Sequence, residues 1–320
     1  TNSNAGSING SNFTAINTLT GGSNNDTFSF NDGVTFTGTV DGGDGTDTLD
    51  YSAYTSPLTV NLAALGGVNI EQVTGTPNAT STLVANNTAN NWTITNSNSG
   101  TINGTLIFNT FSNLTGGSND DTFQFNDNVT FTGTIDGGGG NNTIIAGDTP
   151  NTWNLTNSDS GTINGSNFTA INNLTGGSNN DTFSFNDGVT FTGTVDGGAG
   201  TDTLDYSAYT SPLTVNLAVL GGTNIEQVQG TANATSTLIA NNTANTWNIT
   251  GSNSGTVNGL NFSAFSNLTG GTSDDTFQFN NPATISSNIN GGAGNLTLIG
   301  DELNFTGTIS GTGNLTLQPL

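Results

Sequence analysis

The sequence has no lysine, arginine, histidine, cysteine or methionine. Without Cys or His there is no thiolate or imidazole nucleophile and no Ser-His-Asp triad. Zinc and haem sites built on those ligands are also excluded. Without Lys or Arg nothing offsets a phosphate backbone. At a net charge of −23, nucleic acid and anionic membranes would repel the chain. No Lys follows a Gly-rich loop, which argues against phosphate cradling. No apolar run approaches the roughly 18 residues of a membrane helix, so neither nucleic-acid binding nor membrane insertion is expected. Missing cysteines permit an oxidising compartment. The lack of an initial Met or leader-like stretch predicts a mature or interior segment.

Gly, Asn, Thr and Ser dominate, and only 31% of the 320 residues are apolar. Low hydrophobicity with high net charge is a signature of disorder. Here, however, charged residues are only 7% and the apolar ones recur in order. The phrase Thr1-Asn2-Ser3-Asn4 with Gly6-Ser7-Ile8-Asn9-Gly10 returns 155 positions on. There it reads Thr156-Asn157-Ser158-Asp159 with Gly161-Thr162-Ile163-Asn164-Gly165. The stretch from Asn25 to Gly43 returns from Asn180 to Gly198, dividing the chain into long repeats 1–155 and 156–320.

Beneath the long repeat lies a spacing of 19 to 21 residues. One apolar series runs Leu19, Val40, Val73, Ile94, Leu114, Ile135 and onward to Ile309. A second runs Phe28, Leu49, Leu83, Ile102, Phe123, Ile144 and onward to Leu317. Each series takes a longer step, of 33 or 34, once in each long repeat. Around these residues the pattern alternates, as in Thr27-Phe28-Ser29-Phe30, while Gly, Asn and β-branched residues disfavour helix. The expected fold is all-β: a right-handed parallel β-helix (β-solenoid) of about fifteen coils with roughly 20 residues per coil. Handedness follows the general rule for parallel crossovers. Each series is expected to pile vertically, giving a rod of roughly 70 Å.

The coil corners are polar and Gly-rich. Gly42–Asp50 and Gly197–Asp205 read Gly-Gly-x-Gly-Thr-Asp-Thr-Leu-Asp. These two nonapeptides resemble the calcium-binding repeat of RTX toxins, adhesins and proteases. The resemblance implies calcium held by Asp26 with Asp47 and by Asp181 with Asp202, the members of each pair lying one coil apart. Two carboxylates at about 5 Å repel by about 3 kcal/mol at an effective dielectric near 20, a cost a hard cation would remove. The sequence also departs from that family. Asn replaces the third Gly in the partner loops, and Asn142 and Leu296 stand where Asp47 and Asp202 do. Without calcium the same residues make a solvated corner of stacked Asn, Asp and Thr.

Trp92, Trp153 and Trp247 lie two positions before a series residue, so core stacking is expected of them rather than a sugar platform. All four Tyr fall in two enlarged coils, Tyr51–Leu62 and Tyr206–Leu217, where Leu58, Val60 and Leu62 alternate as in an added strand. The Asn-x-Ser/Thr triplets follow from composition and indicate no particular glycosylation. Thr35, Thr37 and Thr39 form a row similar to those of ice-binding solenoids, but it does not recur in every coil, so ice binding ranks low.

A β-helical carbohydrate-active enzyme would need a base or a converging acid pair. Lys and Arg are absent and the acids sit on repeating corners, so no enzyme is expected. Over its whole length the chain resembles the repetitive shafts of large bacterial surface proteins of the filamentous-haemagglutinin and RTX-adhesin kind. The residues carrying this are the Gly-Gly-x-Gly-x-Asp corners, the Asn-Leu-Thr-Gly-Gly phrases at 113–117 and 173–177, and Gly313–Leu317. The resemblance implies an extracellular stalk at the bacterial cell surface, or alternatively a fibre or sheath subunit joined end to end. Its partners would be further copies of itself, end to end or side by side, and host or cell-surface ligands.

Overall fold

The computed structural model describes residues 4–8, 11–34, 36–219 and 222–320. Of the motifs above, Thr1, Asn2, Ser3, Asn9, Gly10 and Thr35 lie outside them. The described residues form short strands and turns, with no helix, and most strand pairs are parallel and in register. The chain divides into two compact units. One comprises Thr1–Thr149 with Asp159–Thr175, and the other Pro150–Ser158 with Gly176–Leu320.

In the first unit Leu19 pairs with Val40, and Phe28 with Leu49, as the 21-residue spacing requires. The enlarged coil then contributes the added strand, Leu58–Asn61, with Leu58 and Val60 buried and Thr59 and Asn61 exposed. From it rises an apolar stack of Val60, Leu83, Leu114, Ile135 and Phe168. Neighbouring parallel strands stand about 4.8 Å apart, so each side chain covers the one below. The second unit repeats this with Leu213–Asn216, whose Val215 begins the stack Leu238, Leu268, Ile289 and Ile309.

The long unbroken series expected from sequence is corrected at two kinds of place. Val73 does not stand on Val40. It pairs with Leu49, because the added strand carries the following residues round to the next face. Nor does Ile94 follow Val73. Asn91–Asn96, Ser99–Ile102 and Leu106–Asn109 form an antiparallel meander inserted between parallel neighbours, so that Phe108 covers Val73 while Trp92 pairs with Phe123. The second unit holds the same device, with strands Asn245–Gly251, Ser254–Val257 and Leu260–Ser263. Its tight turn is Asn258-Gly259, at φ 50° and 92°, and its counterpart is Asn103-Gly104, at 53° and 69°. Positive φ at both residues is the turn that Asn-Gly favours; Asn258-Gly259 joins Val257 to Leu260 directly, whereas Thr105 adds a third loop residue between Ile102 and Leu106.

Trp92, Trp153 and Trp247 are at most 1% exposed, which confirms their inward placement. Trp92 stacks on Phe123 at 5.4 Å and meets Phe108 edge-on at 5.6 Å. Trp247 repeats the contacts with Phe277 at 5.0 Å and Phe262 at 5.5 Å. Each of these two indoles thus joins a meander to the parallel coil beyond it.

The enlarged coils are pinned by side chains from the coil before. Phe30 stacks on Tyr51 at 4.6 Å, and the Tyr54 hydroxyl donates to the Val34 carbonyl. Asp32 accepts from the Thr55 N–H (3.1 Å) and hydroxyl (2.8 Å) and from the Ser56 N–H (3.0 Å) and hydroxyl (3.2 Å). Asp187 does the same for Thr210 and Ser211. These donors, the Thr hydroxyl foremost, hold both carboxyls below the ordinary carboxylate range.

Candidate functional site: the corner ladder

In several corners an acid or amide stands two positions before an inward apolar residue and shares that residue's face, because side chains alternate along a strand. Asp47 precedes Leu49, Asp121 precedes Phe123, Asp202 precedes Leu204 and Asp275 precedes Phe277. All four acids are at most 1% exposed, as is Asp181, whereas Asp26 is half-buried. The solvated corner expected from composition is therefore corrected at these positions: the side chains point inward.

They are held by the backbone of the coil before. Asp47 Oδ1 accepts the Asp26 N–H at 2.7 Å, and Glu71 Oε2 accepts the Asp47 N–H at 2.9 Å. Asp202 Oδ1 accepts the Asp181 N–H at 2.7 Å, and Glu226 Oε2 accepts the Asp202 N–H at 2.9 Å. Between these runs amides take part: Asn90 N–H donates to Asp121 Oδ1 (2.8 Å), and Asp121 N–H to Asn142 Oδ1 (2.9 Å). One position earlier, on the exposed side, the stitching runs the other way. Asn25 Oδ1 accepts the Thr46 N–H at 2.9 Å, and Asp120 Oδ1 the Asn141 N–H at 2.8 Å. Corner backbone donors that the strands leave over are thus satisfied by neighbouring coils, as buried N–H groups require.

The first glycine of each corner has a steric reason. A Cβ on Gly42 would stand 2.0 Å from the Asn69 carbonyl oxygen and 2.5 Å from Asp47 Oδ2. On Gly197 it would stand 2.0 Å from the Asn224 oxygen and 2.6 Å from Asp202 Oδ2. The carboxyl lies against the bare glycine Cα, so the Gly-Gly and the Asp are two halves of one packing arrangement. Burial pushes the Asp121, Asp202 and Asp275 carboxyls above their usual range, against the hydrogen bonds that lower them.

The structure therefore brings Asp26 to Asp47 and Asp181 to Asp202, one coil apart in each case. Calcium takes six to eight oxygens at 2.3–2.6 Å. At Asp47 one carboxylate oxygen is engaged by an N–H and the other is closed in by glycine and a carbonyl. As packed, the two carboxyls alone supply few of those oxygens, and corner backbone carbonyls would have to supply the rest.

A cavity of about 220 Å³ in the second unit is lined by Leu204, Val228, Val257 and Asn258, with no carboxylate side chain on its wall. No protein-family model matches the chain, and neither a curated protein nor a solved structure matches it significantly.

Proposed function

We propose that the chain is a load-bearing structural segment of an extracellular stalk or fibre at a bacterial cell surface: a right-handed parallel β-helix of about fifteen coils. The observation supporting this most is the recurrence of one corner arrangement from coil to coil, over stacks such as Val60–Leu83–Leu114–Ile135–Phe168. Polar chemistry in these corners is consumed in holding neighbouring coils together. A solenoid of this kind derives its stability from contact between adjacent coils, so it can be long without a globular core. The absence of Lys and Arg removes the cleavage points of trypsin-like proteases, which suits exposure outside a cell.

Side-by-side association in this reading depends on divalent cations, calcium included, bridging exposed carboxylates such as Asp44, Asp127 and Asp301. Electron microscopy with and without chelator tests it. Bundles that form with millimolar calcium and disperse on chelation are expected; bundling indifferent to chelator contradicts the cation bridge. Joining end to end is the alternative within this reading. It predicts a mass that grows with concentration even in chelator.

A further inference from the structure

Asp121 and Asp275, like Asp181, are buried ladder acids that receive hydrogen bonds from an asparagine. Asp121 Oδ1 accepts both the N–H and the Nδ2 of Asn90, each at 2.8 Å. Asp275 Oδ1 accepts the N–H of Asn245 at 2.9 Å and its Nδ2 at 2.6 Å. The second oxygen, Oδ2, is buried without a hydrogen-bond partner in both. At Asp121 a second acceptor lies beside the same corner glycine. A Cβ placed on Gly116 would lie 2.4 Å from Asp121 Oδ2 and 2.6 Å from the Gly137 carbonyl oxygen. Two acceptors sharing a dry corner with no donor is a costly arrangement.

One coil further on, the same place over Gly137 is taken by Asn142. Its Nδ2 stands 2.5 Å from the corresponding Cβ point and donates to the Ala170 oxygen at 3.1 Å and the Gly139 oxygen at 3.2 Å. The corner is thus shaped for a side chain that accepts with one terminal atom and donates with the other. Asparagine does this, and a carboxylate cannot. A carboxylic acid can.

We propose that Asp121 and Asp275 are proton-binding sites: the folded chain holds each as a neutral carboxylic acid, its O–H replacing the amide donor found at Asn142. The charged groups about Asp121 are Asp120 beside it and Asp136, whose carbonyl takes the Gly116 N–H; beside Asp275 is Asp274. All are acids, and the sequence has no cation to favour an anion in either corner. Burial raises both carboxyls, while the Asn90 and Asn245 donors oppose it. A folded-state value raised above the unfolded one, about 3.9, means that folding takes up protons. The resulting stability is fully present below that value and is lost as pH rises through the folded-state value. The environment's acidity thereby sets how firmly adjacent coils hold.

Thermal unfolding of the full chain tests this with D121N, D275N and the double variant, between about pH 4 and pH 8. The double variant is expected to melt several degrees higher than wild type near pH 7 and to converge with it near pH 4, flattening the pH profile. In wild type, carbon-13 spectra are expected to show the Asp121 and Asp275 carboxyls ionising at higher pH than the exposed ones, a readout that does not depend on any variant folding. Variants that melt no higher near pH 7, or spectra in which the Asp121 and Asp275 carboxyls ionise together with the exposed ones, would overturn the proposal. So would calcium raising the melting temperature of wild type but not of the double variant, since a metal rather than a proton would then fill the corner.

Discussion

Trp92→Ala is expected to remove about 3–5 kcal/mol of stability, measured as a shift of the urea midpoint. Domains of ordinary stability hold about 5–15 kcal/mol in total, so the loss is a large share. The indole is 1% exposed and contacts both sides of a junction: Phe108 in the meander and Phe123 in the parallel coil beyond. Truncation leaves a cavity on the apolar face of one continuous sheet, at the strand that joins the meander to the parallel strand Thr122–Phe125. The indole N–H is buried without a hydrogen-bond partner, so Trp92→Phe should be mild, because it keeps the stack and removes an unsatisfied donor. Equal effects of the two substitutions would show that ring stacking is not what the position supplies. Trp247, with the same pair of ring contacts, should behave alike.

Gly197→Ala is expected to be as damaging, by at least about 3 kcal/mol, although the change adds one methyl group. The new carbon would stand 2.0 Å from the Asn224 carbonyl oxygen, which belongs to the backbone of the adjacent coil, and 2.6 Å from Asp202. Neither can yield without separating two coils. Gly188 is the natural control, since a Cβ there meets nothing within 4 Å and the only obstacle is φ of 73°. Its replacement by alanine should cost about 1 kcal/mol. A comparable loss at both positions, followed by thermal melts, would remove the argument that glycine is kept at the corner to admit the carboxyl.

Much of the local architecture was legible in the sequence. Twenty-one residues separate Phe28 from Leu49, and these residues do stack. The alternation Leu58, Val60, Leu62 does mark an added strand, and the tryptophans do point inward. The global register was not legible, and the reason is geometric. Trp92 to Ile102 and Ile102 to Phe108 are meander arms of about half a coil each. Vertical neighbours across the meander are 35 residues apart (Val73 to Phe108) or 31 (Trp92 to Phe123), yet Ile94 and Ile102 still fall 19 to 21 residues from apolar residues they do not cover, so spacing alone reads as winding. The Asn103-Gly104 turn was the distinguishing signal, and in a chain where Asn and Gly are abundant it did not stand out. The inward-facing aspartates were available from the same alternation that placed Leu49 and Phe123, but an ionisable side chain invites a solvated reading. Only coil contacts show that its partners are backbone N–H groups and a bare glycine.

The account rests on parallel coils whose register is reset at each meander. Because the chain has no cysteine, oxidative cross-linking of two introduced ones reads that register directly. Thr74 pairs with Asn109 in the structure, whereas an unbroken 20-residue series would set Thr74 against Thr95. The account predicts rapid intramolecular cross-linking for T74C with N109C and none for T74C with T95C; the reverse result would contradict it.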